Sequence, residues 1–225
     1  MSIFFILGAG ASVDSGLYTY RGDNSRNENY DDIVDFLSIT NYNTNKNKIW
    51  EYYKKFYDEV QQSKLGKTYY LIEELCKKHP DSFVLTQNVD GLINSINVTN
   101  VELHGNVSRM KCTRCKNIYP TNFDEKNCTQ CGGECRLDIL LYNEYLDDTL
   151  ATRVYELIAR RKPKYLVVIG TSLQFDYLNM FINKTNISHD NRYHINPNIN
   201  YVCGKKDHHI NKPANDGLEE LLNIL

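Results

Sequence analysis

Four cysteines in two Cys-x-x-Cys pairs, "CTRC" at 112–115 and "CTQC" at 128–131, carry the clearest chemistry in the sequence. Cys112, Cys115, Cys128 and Cys131 offer four soft thiolates on two tight turns, the ligand set of a tetrahedral zinc site. Four thiolates fill that shell, so the expected metal is structural and leaves no open position for water. The twelve-residue gap is a little short for a zinc ribbon, but Gly132 and Gly133 after the second pair fit a knuckle turn. Cys135 lies nearby without matching the spacing, and Cys76 and Cys203 read as buried apolar side chains. A second stretch, "GAGASVDSGLYTYRG" at 8–22, opens like a dinucleotide-binding turn but holds Val13 where the third glycine would stand. Polar residues gather again in "TQNVDGL" at 86–92, "ELHG" at 102–105 and "GTSL" at 170–173. Taken singly, Asp90 reads as an N-cap or Asx-turn residue and His104 as a structural histidine.

These groups need a scaffold, and the hydrophobic pattern supplies one. "IFFIL", "SFVLTQN" and "YLVVIGTS" are short apolar runs bounded by turn residues, the mark of buried parallel strands. "VELHG", "DILLY", "YHIN" and "YVCG" read as shorter strands. "KIWEYYKKFYDEV" places Trp50, Tyr53, Phe56 and Tyr57 on one helical face, a packing stripe in the main. "KTYYLIEELCKKH", stopped by Pro80, "LATRVYELIARR" and "NDGLEELLNIL" complete the helices. Strands alternating with helices predict an α/β fold: a Rossmann-like doubly wound parallel sheet with a small inserted zinc-ribbon plus helical module. Residues 111–134 have almost no apolar periodicity and need a staple, which the cysteines provide.

The 225 residues carry a net charge of -2 and 41% hydrophobic residues, so nothing argues for nucleic acid as a main partner. No apolar run approaches a membrane span, and the first strand starts too early for a targeting peptide. Seven cysteines without a secretory signal fit a reducing compartment, so an intracellular, cytoplasmic chain is expected.

The ordered set of motifs resembles the sirtuins, NAD-dependent protein lysine deacylases. The glycine loop is similar to their Gly-Ala-Gly-x-Ser-x-x-Ser-Gly-Ile-Pro-x-Phe-Arg-Gly. "TQNVDGL" is similar to Thr-Gln-Asn-Ile-Asp-Gly-Leu, "ELHG" to the segment with the catalytic histidine, and "LDILLYNE" at 137–144 to the substrate-pairing strand. "GTSL", "IN" at 195–196 and "KPA" at 212–214 match the late cofactor loops.

The resemblance implies NAD and structural Zn2+ as cofactors, and an acylated-lysine protein or peptide as substrate. Gly8, Ala9 and Gly10 would let backbone approach the diphosphate, with Ser12 and Ser172 donating to phosphate and Gly170 and Thr171 beside them. Asp90 would hold the nicotinamide carboxamide, Gln87 and Asn88 the adjacent ribose, and Asn196 and Ala214 the adenosine side. Tyr20 would shield C1′, with Arg21 organising the loop. An acyl-lysine oxygen would attack C1′ and expel nicotinamide, and His104, with an imidazole pKa near 6.5, would then act as general base on a ribose hydroxyl. Leu140, Tyr142, Asn143 and Glu144 would meet the peptide. The implied units are an NAD-binding domain at 1–22, 64–108 and 137–225, a cofactor loop and helical module at 23–63, and a zinc module at 109–136.

In the subgroup that removes dicarboxylic acyl groups, a Tyr-x-x-Arg pair follows a Trp-Glu-aromatic stretch. Here Tyr53 matches the tyrosine, but Phe56 stands in the arginine's place. Phenyl offers no cation to a free carboxylate, so a neutral acyl group is expected, acetyl or aliphatic; a shifted alignment would bring in Lys54 or Lys55. Tyr18, Leu137, Asn143 and Tyr177 also depart from the family pattern, Asn143 from a glycine. The alternatives are an NAD hydrolase or mono-ADP-ribosyltransferase of the same fold, a weak NAD or ADP-ribose sensor, and a nucleic-acid-binding zinc ribbon.

Overall fold

Period-two burial on both faces builds the centre of the molecule. In β1 (Ile3–Leu7), Ile3, Phe5 and Leu7 face one core while Phe4 and Ile6 face the other, all fully buried. In β7 (Tyr165–Ile169), Val167 and Ile169 face the first core and Leu166 and Val168 the second. A strand buried on both faces must lie inside a sheet covered by helices on each side. The computed structural model, which describes residues 1–19, 30–198 and 206–225, has that form. The expected "YVCG" strand, together with Tyr20, Arg21 and Cys203, lies outside the described residues.

With β2 (Phe83–Thr86), β3 (Asn100–Glu102), β8 (Arg192–Ile195) and β9 (His208–Ile210), the strand order is β3-β2-β1-β7-β8-β9, parallel throughout. Helices α3 (Lys67–Lys78) and α6 (Ala214–Leu222) cover one face. Helices α4 (Asp148–Arg161) and α5 (Asp176–Thr185) cover the other. The order reverses between β1 and β7, so loops leaving their carboxyl ends part and open a crevice.

A smaller antiparallel sheet, ordered β5-β4-β6, holds β4 (Gly105–Cys112), β5 (Ile118–Pro120) and β6 (Cys135–Ile139). It shares one apolar core with α1 (Tyr30–Phe36) and α2 (Tyr42–Gln62), centred on Ile49, Trp50, Tyr53, Leu137 and Ile139.

Several elements differ from the sequence reading, which contained neither β5 nor β9. The "VELHG" run is divided: β3 ends at Glu102 in the parallel sheet and β4 starts at Gly105 in the antiparallel one, with His104 at the seam. The "DILLY" strand starts three residues earlier, at Cys135, ends at Ile139, and pairs with β4. Helix α5 was not expected, although buried Leu178, Phe181 and Ile182 follow helical spacing.

Candidate active site

The crevice holds a cleft of about 820 Å³. Gly8, Ala9 and Gly10 from the loop after β1 line it, opposite Gly170, Thr171 and Ser172 from the loop after β7. The two loops touch: the Gly10 N–H donates to the Gly170 carbonyl at 3.0 Å, and a Cβ on Gly10 would lie 2.6 Å from the Gly170 Cα. The segment after Gly8 is a 3-10 helix (Ala9–Ser15) rather than an α-helix, and the Ala11 amide bonds back to the Gly8 carbonyl. Asn196, after β8, and Ala214, opening α6, line the far end of the same cleft. Gln87 also faces it and donates to the Thr171 hydroxyl at 2.9 Å.

Beneath the glycine loop lies a closed polar network. The Ser12 hydroxyl donates to Asp90 at 2.7 Å and sits 2.8 Å from the Tyr69 hydroxyl. Asn88 donates to Ser12 at 3.0 Å and to the Gly8 carbonyl at 3.1 Å. The Leu92 amide donates to the other Asp90 oxygen at 2.9 Å. Burial raises the Asp90 carboxyl above the ordinary carboxylate range, against the pull of the Ser12 and Leu92 bonds. Ser12 and Asp90 do not line the main cleft. They meet a small adjoining pocket that Asn88 shares, and Phe56 and Tyr52 wall it. Ser12 is thus engaged with protein, where the sequence reading had it facing phosphate.

His104 reaches the main cleft because of Gly105. That glycine has φ +81°, and a Cβ there would fall 1.9 Å from the Asp138 carbonyl oxygen, so only glycine lets β4 swing away directly after the histidine. Nε2 is bonded to the Tyr177 hydroxyl, and the Gln87 backbone lies near enough to favour the charged ring, against its burial. Burial lowers the imidazole pKa to about 4, well under the 6.5 that the sequence reading assumed. At neutral pH the ring is therefore uncharged. Phe175 packs edge-on to it with centroids 5.3 Å apart, and Phe175 stacks on Tyr177 at 5.5 Å. Phe175 carried no sequence signal for the site. Tyr177 stood out only as a departure from a proline.

The strand beyond β6 forms another wall of the cleft. The Leu140 amide donates to the His104 carbonyl at 2.9 Å. Tyr142 pairs with the loop after α1, accepting from the Ile39 amide at 2.9 Å and donating to the Leu37 carbonyl at 3.1 Å. Alternate residues of an extended chain present their backbones to opposite edges, which leaves the neighbouring positions for the cleft. Asn143 takes the left-handed conformation, φ +61°, and its side chain donates to Ser38 at 3.0 Å. Asparagine tolerates that conformation, as expected. Substituting Val for Asn143 should destabilise the fold by about 1–3 kcal/mol, and Gly by much less, measured by urea unfolding. Glu144 is held by Arg136 through two bonds of 2.8 Å. Tyr53 is buried and lines the cleft, while Lys54 pairs with Asp58 at 2.9 Å on the exposed side of α2 and Lys55 is also exposed. Among the described residues, the cleft lining includes no lysine or arginine.

The four cysteines converge. Their sulfurs all lie within 4.8 Å of one another, with Cys112–Cys131 at 3.6 Å and Cys115–Cys128 at 3.5 Å. Zinc–sulfur bonds of about 2.3 Å at tetrahedral angles require sulfur separations of about 3.8 Å. The donor set therefore fits zinc, and no cysteine of the group lines the cleft. Buried Cys135 packs in the same core but is not one of the four.

Fold and site together define a doubly wound nucleotide-binding protein with a four-cysteine module beside its switch-point cleft. The Sir2 family profile matches residues 8–176, and the chain belongs to that family. It is similar to an NAD-dependent protein deacylase of Aeropyrum pernix, 31% identical over 95% of this chain and 88% of the relative. It also resembles an NAD-dependent protein deacylase of Aquifex aeolicus, 26% identical over 100% of this chain and 95% of the relative. Among solved structures, a Sir2 homologue–NAD complex superposes with TM-score 0.80 at 21% identity, over 99% of this chain and 88% of that one. A Sir2–p53 peptide–NAD+ complex gives 0.76 at 20% identity, over 100% of this chain and 92% of that one.

Proposed function

We propose that the chain is an NAD-dependent protein lysine deacylase that releases nicotinamide and O-acyl-ADP-ribose. One observation carries the reading: a neutral His104, the glycine loops after β1 and β7, and the Leu140–Glu144 wall meet in one cleft. NAD, consumed as co-substrate, supplies an electrophilic C1′ and a leaving nicotinamide. Gly8, Gly10 and Ser172 would face its diphosphate, Asn196 and Ala214 its adenosine, and Asn88 and Gln87 its ribose. The Ser12–Asp90 network would bound the nicotinamide end. The acyl oxygen forms its bond to C1′ as the nicotinamide bond breaks. His104 Nε2 then takes a ribose hydroxyl proton, freeing that oxygen to attack the acyl carbon. A neutral imidazole can accept that proton and a protonated one cannot.

Incubation with NAD and acyl-lysine peptides, followed by mass analysis, should show nicotinamide and acyl-ADP-ribose formed in equal amounts. Loss of NAD without acylated peptide would favour the hydrolase or transferase reading, and intact NAD with every peptide would sink both.

The acyl group is neutral. A dicarboxylic tail would enter a cleft whose described lining offers Leu37, Tyr53, Val89 and Ile139 and no cation. Desolvating an unpaired carboxylate costs several kcal/mol. Succinyl-lysine should therefore react at least about 100-fold more slowly than acetyl-lysine in kcat/KM. Equal or faster turnover of the succinyl peptide would overturn this.

A further inference from the structure

The hydroxyl of Tyr177 occupies the very atom of His104 that the proposed chemistry needs, and nothing assigned so far explains it. Tyr177 enters from the first turn of α5, stacked on Phe175 and braced by Phe181 at 6.2 Å. Burial raises the phenol pKa, so the phenol keeps a proton that it can donate. With Nε2 unprotonated, as a general base must have it, the phenol is the donor of this bond. Among the described residues, the side chains packed on the ring are Phe175 and Tyr177, neither of them charged. Glu102, two residues back, is tied to Arg109 at 2.7 Å.

We propose that Tyr177 is a positioning residue that caps His104 in the resting enzyme, fixing the imidazole in one tautomer with Nε2 aimed into the cleft until a ribose hydroxyl takes the phenol's place. The proposal rests on the deacylase reading for the identity of that hydroxyl. Two properties follow from the bond itself. A donor on Nε2 stabilises the neutral ring, and it ranks the two neutral tautomers. The aromatic stack also sets the ring plane, so the lone pair needs no search when the ribose arrives.

The test is Tyr177→Phe, which removes one oxygen and keeps the stack. Nitrogen-15 histidine spectra of the NAD-free protein, with the His104 signal identified by its absence in His104→Ala, report tautomer and titration directly. In the wild type, Nε2 should give the shift of a hydrogen-bonded acceptor. In Tyr177→Phe, the His104 titration should move up by about 0.5–1 pH unit, the equivalent of one lost hydrogen bond. The acid limb of kcat/KM should move with it. Tyr177→Leu, which also removes the stack, should show the same titration shift and in addition lower kcat more than KM changes. If Tyr177→Phe melts like the wild type and leaves both the His104 signal and the acid limb in place, the proposal is wrong. A chain that shows the shift yet deacylates nothing keeps the cap and loses the deacylase reading; one that deacylates without the shift does the reverse.

Discussion

Replacing His104 with alanine should lower kcat/KM for an acetyl-lysine peptide by about 10²–10⁴-fold, the usual worth of a positioned general base. Nicotinamide exchange should survive, because cleavage at C1′ comes before the ribose proton is removed. Radiolabelled nicotinamide incorporation beside peptide turnover separates the two steps. The pH profile adds a second reading. Only the deprotonated imidazole accepts a proton, so rate falls as pH drops through its pKa. Burial holds that value at about 4 in the ligand-free chain, so activity should persist at pH 6, where an ordinary histidine is largely protonated. If His104→Ala retained more than a tenth of the peptide turnover, the base would have to be another group.

Stripping the metal with a strong chelator, or substituting Cys112→Ser, should lower activity at least about tenfold although, among the described residues, no cysteine lines the cleft. Zinc binding to such four-ligand modules is worth about 10–16 kcal/mol in isolated peptides, more than a small antiparallel sheet can replace by packing. The damage would reach the site along the chain. β4 begins at Gly105, one residue after His104, and Leu140, which bonds back to His104, follows the end of β6. The expected result is one zinc per chain in the native protein, with at least a tenfold loss of kcat/KM on its removal. Far-ultraviolet circular dichroism should keep most of its signal, since β1, β2, β7 and β8 have their own two cores. Full activity in a zinc-free preparation would show that the thiols hold the module without metal.

The parallel sheet was legible because its strands are buried on both faces, and runs such as "YLVVI" leave no other arrangement. The cysteine cluster was legible from spacing alone. Less visible was the break in "VELHG", since a change of sheet at His104 depends on Gly105 fitting against Asp138, a tertiary constraint with no local signature. Helix α5 went unread because its buried face is only Leu178, Phe181 and Ile182, a short apolar signal set among exposed Asn179, Met180 and Asn183. Ser12 illustrates a different limit: its type suits phosphate, yet a buried Asp90 and Tyr69 nearby claim its hydroxyl. Tyr177 departs from the family pattern in sequence, but its bond to His104 and its stack on Phe175 are tertiary contacts with no local signature.

One detail of the cleft wall bears on how selectivity can drift. Tyr142 spends its backbone on Leu37 and Ile39, and Asn143 turns its side chain to Ser38, so the connector leaving α1 serves as the back rail for residues at the cleft. A mutation in that connector could tilt the ledge where a peptide would lie without altering any group the peptide meets. Preference among target proteins can therefore be retuned from behind, by positions that an inspection of the cleft alone would pass over.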